Sequence, residues 1–156
     1  MTDREPVVVI GIGNPMRRDD GVGAAVVTAF SDESDASGID ALELDGEATR
    51  LIDAWHRRRL AIVVDAAVGG AQPGTLHEVT VGREELPGWS SSGSTHASGI
   101  AEAVALARAL GRLPEQLVIL GVEPADLDHG PGLSPAVAAA IPSVIDRIDH
   151  LTRPGA

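Results

Sequence analysis

The sequence contains no cysteine, which excludes disulfides, thiolate zinc sites and a cysteine nucleophile together. Chemistry is left to carboxylates, histidines or hydroxyls. Aromatic residues are nearly absent, with only Phe30, Trp55 and Trp89, so the core must be built from Val, Leu, Ile and Ala. Few platforms remain for stacking on bases or sugars. Basic residues are scarce: 12 Lys plus Arg stand against 23 Asp plus Glu, for a net charge of -11. A nucleic-acid surface needs clustered cations and is excluded, whereas this balance suits a cation or a basic partner. The one basic run, Arg57-Arg58-Arg59, closes a helical pattern, where positive charge complements the macrodipole. No apolar run approaches the ~20 residues that cross a bilayer. The opening MTDREP is polar and acidic, unlike a secretory signal, and a cytoplasmic protein is expected. A length of 156 residues suits one domain able to bury a continuous core.

Apolar runs predict strands at Val7 to Ile12, Asp40 to Leu44, Leu60 to Asp65 and Leu117 to Val122, each nearly continuous, as parallel strands covered on both faces are. A fifth, Thr75 to Val81, mixes polar and apolar residues after the turn signal Gln72-Pro73-Gly74 and reads as an antiparallel edge strand. Helical stripes lie between them: Val22, Val26, Val27 and Phe30; Leu51, Ile52 and Trp55; Ile100, Ala103, Val104, Ala107 and Leu110. A last helix starts at Ser134-Pro135, a capping residue and a first-turn proline, and carries Pro142, where a kink is expected. The order predicts a three-layer α/β/α sandwich around a five-stranded, mostly parallel sheet with one antiparallel edge strand. Right-handed crossovers then collect Gly11 to Asp20, Asp65 to Gly70 and Val122 to Gly132 along one carboxyl edge, where ligands bind in such sheets.

The stretch GIGNPMRRDDGVG ends the first strand. It lacks the third glycine of a dinucleotide loop, since Met16 stands there, and it lacks the Gly-Lys-Ser/Thr of a phosphate loop. Two carboxylates in place of a lysine would repel polyphosphate. Capping of the next helix accounts for Asp19 or Asp20 but not for both. Asp65, at the carboxyl end of a buried strand, is a site candidate, with a turn-forming role as the alternative. His96 lies in the first turn of the third helix, whose dipole favours the neutral imidazole that a metal needs. Asp20, Asp65 and His96 together suit a divalent first-row metal with open positions. Serines 90, 91, 92 and 94 lack a nucleophile elbow, and Asp126-Leu-Asp128-His129 reads as an exposed connection. His56, His77 and His150 share no evident site.

With these segments in view, GIGNPMRRDDGVG, VVDA around Asp65, STHASG around His96 and the late GVEPADLDHGPGLSP, the chain resembles the maturation endopeptidases of nickel-iron hydrogenases over nearly its whole length. The resemblance implies a phosphorylase/hydrolase-like fold in a single domain over 1–156. It implies an endopeptidase that removes a short carboxyl-terminal extension from a nickel-loaded large-subunit precursor. Asp20, Asp65 and His96 would form the metal-recognition site, with Asp20 and Asp65 also the catalytic candidates. Nickel would arrive with the substrate, with no permanently bound cofactor, and the protease is expected to be a monomer. Asp45 and Gly46 match the start of a family Asp-Gly-Gly-Thr loop expected to meet the substrate, but Glu47 and Ala48 depart from it. A non-catalytic metal or cofactor-binding module, or a serine-type α/β hydrolase, are the competing readings.

Overall fold

The computed structural model describes residues 4–33, 38–82 and 96–153. Among these described residues nine helices and strands follow in chain order: β1 (Val7–Ile12), α1 (Val22–Glu33), β2 (Ile39–Leu44), α2 (Ala48–Trp55), β3 (Leu60–Ala66), β4 (Leu76–Thr80), α3 (His96–Leu110), β5 (Gln116–Val122) and α4 (Pro135–Thr152). A short 3-10 turn, Arg18–Gly21, precedes α1. The strands form one sheet in the order β2-β1-β3-β5-β4. Every pairing is parallel except β4 with β5, so the expected architecture and its antiparallel edge strand are both present.

Alternation along the strands sorts the core into two layers. Val7, Val9, Ile62, Val64, Leu120 and Val122 face α1 and α4, where Val22, Val26, Phe30, Val144 and Ile148 meet them. Val8, Ile10, Ala61, Val63 and Ile119 face α2 and α3, against Leu51, Trp55, Ala103 and Val104. Trp55 and Phe30 are fully buried, so each large apolar side chain contributes about 1.5–3 kcal/mol of transfer free energy. β1 and β3 are buried along their whole length, whereas the edge strands β2 and β4 are largely half-buried. Leu110, expected on the inner stripe of α3, is instead exposed. It is the last residue of that helix and projects beyond the layer that Ala107 closes.

Local chemistry places the helices. Ser134 precedes α4 and Pro135 opens it, as the sequence predicts. The Ser134 hydroxyl does not cap the helix, because it donates to Asp19 at 2.8 Å. α4 runs from Pro135 to Thr152 through Pro142 without a break. Glu47 caps α2, its carboxylate accepting from the Thr49 and Arg50 amides at 3.1 Å each. At the other end of α2, Arg58 is buried, donating from Nε to the Ala54 carbonyl at 2.9 Å and from Nη1 to Asp40 at 2.6 Å. The expected helix-end role of the arginine run therefore rests on Arg58. No helix among the described residues is long and apolar enough to cross a membrane.

Gly23, in the first turn of α1, fixes how that helix sits on the sheet. A Cβ there would lie 2.5 Å from the Ile12 carbonyl oxygen and 2.6 Å from that of Val64, closer than real Cβ contacts allow. With no side chain, α1 rests directly on the carboxyl ends of β1 and β3 and delivers the preceding turn to that edge.

Candidate functional site at the carboxyl edge

The chain leaves β1 through Gly13, whose φ of +136° suits glycine. A Cβ there would lie 1.8 Å from the Asp20 carbonyl oxygen, so the loop folds tightly back upon itself. The Asn14 amide donates to Asp20 Oδ2 at 3.0 Å, and the Asp20 amide donates to the Arg17 carbonyl at 3.0 Å. Asp20 is fully buried, with its carboxylate oriented by the backbone of its own loop.

Asp19 turns the other way. Oδ2 accepts from the Ala125 amide at 2.8 Å, the Asp126 amide at 3.0 Å and the Ser134 hydroxyl at 2.8 Å. Oδ1 accepts from the Ser134 amide at 2.7 Å. Burial alone would raise its pKa, but the bonds from Ser134, Ala125 and Asp126 outweigh that and hold the carboxyl below its ordinary value. The helix-capping role open to Asp19 gives way to another: it fastens the opening loop to the segment after β5. Backbone bonds reinforce the seam, from the Arg18 amide to the Gly130 carbonyl at 2.9 Å and from the Gly130 amide to the Met16 carbonyl at 2.7 Å.

Asp65 is buried near the end of β3, and its Oδ1 accepts from the Ala66 amide at 2.8 Å. It follows Ala61 and Val63 on the α2/α3 side of the sheet. In register beside it stands Gly121, and beside Gly121 stands His77. His77 therefore reaches this edge. Its Nε2 lies 3.0 Å from Glu123 Oε1.

Glu123, which the sequence reading passed over, is 4% exposed. It also accepts from the Gly69 amide at 2.9 Å and the Ala71 amide at 3.2 Å. Burial pushes its carboxyl up, but His77, Gly69 and Ala71 hold it below the ordinary range. The signal was in the sequence: Gly121-Val122-Glu123 places an acid at the end of a buried parallel strand, the same pattern that singled out Asp65.

α3 begins at His96, at the expected first turn; the His96 side chain and the serine-rich stretch 90–94 lie outside the described residues. Three residues into α3, a Cβ on Gly99 would lie 2.3 Å from the Gly46 carbonyl oxygen. The start of α3 thus packs against the loop after β2. In that loop the exposed Asp45 pairs with Arg50 at 2.9 Å and accepts from the Glu47 amide at 3.0 Å. Glu47, one of the residues departing from the family pattern, is the cap of α2 described above. Among the described residues no group of three His, Asp or Glu side chains is placed to hold a metal ion.

Two depressions open near this edge. One, of about 380 Å³, is lined by Arg17, Val68 and residues 124–128. Of the Asp126-to-His129 connection expected to be exposed, Asp128 and His129 are exposed while Asp126 and Leu127 are half-buried, and residues 126–128 form one wall of this cleft. The larger, of about 590 Å³, lies along the outer face of α1, between Pro15, Arg18 and Leu133.

Residues 35–150 match the family model described as hydrogenase maturation protease. The chain is 30% identical over 154 residues to the hydrogenase expression/formation protein HupD of Thiocapsa roseopersicina, spanning 96% of this chain and 69% of that protein. It is 33% identical over 142 residues to HupD of Rhodobacter capsulatus, covering 88% of this chain and 66% of that one. The chain thus spans about two thirds of the length of these relatives. A solved endopeptidase from Escherichia coli superposes with a TM-score of 0.81 at 25% identity, over 91% of this chain and 88% of its own. The chain belongs to the hydrogenase maturation protease family, and with it to the peptidases.

Proposed function

We propose that this protein removes a short carboxyl-terminal extension from the nickel-loaded large-subunit precursor of a nickel-iron hydrogenase, acting as a cytoplasmic monomer. Asp20, Asp65 and His96 recognise the nickel that the precursor carries. The observation that carries this reading is the burial of two carboxylates, Asp20 in the turn that follows β1 and Asp65 near the end of the adjacent strand β3. Oxygen and imidazole donors suit a divalent first-row metal already held by other ligands. Each carboxylate has one oxygen fixed by a backbone amide, Asn14 for Asp20 and Ala66 for Asp65. Rigid placement on strand ends is what a docking site needs, because orienting the scissile peptide beside a fixed group lowers the entropic part of the barrier. The metal belongs to the substrate; the protease supplies the geometry. Asp45 and Gly46 lie in the loop against which α3 packs and are the proposed contacts for the body of the precursor.

The test is cleavage of purified precursor with and without nickel. The nickel-loaded form is shortened, the nickel-free form stays whole, and Asp65→Ala abolishes cutting of the first while remaining folded. Equal cutting of both precursors refutes recognition through nickel. Submicromolar nickel binding by the protease alone, with every precursor left whole, would establish the binding-module reading instead.

A further inference from the structure

We infer that Glu123 is the positioning residue for the segment that follows Asp65, an inference that rests on the working role just proposed for Asp65. The connection from β3 to β4 is wound around this one residue. At its start the Ala67 amide donates to the Val122 carbonyl at 3.0 Å, and at its end the Gly74 amide donates to the Glu123 carbonyl at 2.8 Å. The Glu123 amide donates to the Thr75 carbonyl at 2.9 Å. Between these ties the Glu123 carboxylate occupies the inside of the turn. Both of its oxygens accept from the Gly69 amide, at 2.9 and 3.2 Å, and Oε1 accepts from the Ala71 amide at 3.2 Å. His77 Nε2 closes the set at 3.0 Å from Oε1.

A buried carboxylate engaged by convergent donors holds them more firmly than a neutral acceptor does. Its removal would leave the Gly69 and Ala71 amides without these bonds immediately beyond Asp65. That segment does more than join two strands. Its Val68 lines the cleft of about 380 Å³ opposite Arg17 and residues 124–128. Glu123 therefore sets one wall of that cleft and, through residues 66–71, the direction of the backbone amide at Ala66 that orients the Asp65 carboxylate. It acts through the chain on Asp65 and needs no contact with substrate.

The experiment compares Glu123→Ala, Glu123→Gln and a control of similar stability loss on the opposite face of the sheet, Ile145→Ala, buried in α4. Each is assayed on nickel-loaded precursor at a temperature where circular dichroism shows all of them folded. In Glu123→Ala, kcat falls at least about tenfold while KM changes less than about threefold, since misplacing a working group costs rate rather than binding. Hydrogen exchange at Gly69 and Ala71 accelerates in parallel. Glu123→Gln, which keeps an acceptor for Gly69, recovers part of the rate, and Ile145→Ala keeps the wild-type kcat. A kcat for Glu123→Ala within twofold of wild type, or equal losses in Glu123→Ala and Ile145→Ala, overturns the inference and leaves the endopeptidase reading intact. Wild-type protein that leaves the precursor whole overturns that reading first and this inference with it.

Discussion

Asp19→Ala should be among the most damaging single substitutions outside the core. The wild-type carboxylate is fully buried and accepts four hydrogen bonds, from the amides of Ala125, Asp126 and Ser134 and from the Ser134 hydroxyl. Bonds to a charged acceptor contribute about 1.5–3 kcal/mol each when intact. Water can reach several of these donors once the side chain is gone, so the expected loss is about 3–4 kcal/mol rather than their sum. With a urea m-value of about 2 kcal/mol/M, the unfolding midpoint falls by about 1.5–2 M. Asp19→Asn keeps one acceptor oxygen but turns an amide donor toward donors, and loses somewhat less. The acid dependence separates charge from shape. Because the folded-state pKa is depressed, the stabilisation is complete above the unfolded carboxyl pKa of about 4. It drains away as pH falls through the lower folded value. The wild-type advantage over Asp19→Asn should therefore shrink on acidification below about pH 4. A loss under about 1 kcal/mol for Asp19→Ala at pH 7, or an advantage over Asp19→Asn that does not change down to pH 2, would refute the reasoning.

Two further substitutions probe other joints by the same urea titration. Gly23→Ala sets a methyl against the backbone of Ile12 and Val64, which cannot yield as a side-chain tip could, and costs about 2–3 kcal/mol; wild-type stability would mean that α1 can lift from the strands. Arg58→Met removes the bonds to Ala54, Glu5 and Asp40 while keeping the aliphatic stem, and costs about 2 kcal/mol because Asp40 is partly solvated. An unchanged midpoint there would show that the buried guanidinium contributes nothing net.

Periodicity carried the fold. β1, β3 and β5 are apolar at nearly every position because helices cover both faces, and the mixed character of the segment around Val79 marked the edge strand. Leu110 misled because a stripe read along a helix does not reveal where the sheet beneath it ends. Asp20 after a glycine turn and Asp65 at a strand end signal by their own positions, and both side chains are buried where the sequence places them. What was not legible is pairing across distance. Asp19 looked like a cap because its partners lie more than a hundred residues away, at 125, 126 and 134. His77 looked isolated because Glu123 lies 46 residues later, just past the antiparallel neighbour β5. Glu47, which breaks the family loop pattern, makes local sense once it is seen accepting from Thr49 and Arg50.

The Asp19 seam has a bearing on how a large protein substrate is met. Surface loops ordinarily lose conformational freedom when a partner docks, and that loss weakens binding. Here residues 13–21 and 124–134 are cross-tied through one buried anion, so their freedom is surrendered during folding, before any partner arrives. A precursor that leans on either loop meets the stiffness of both.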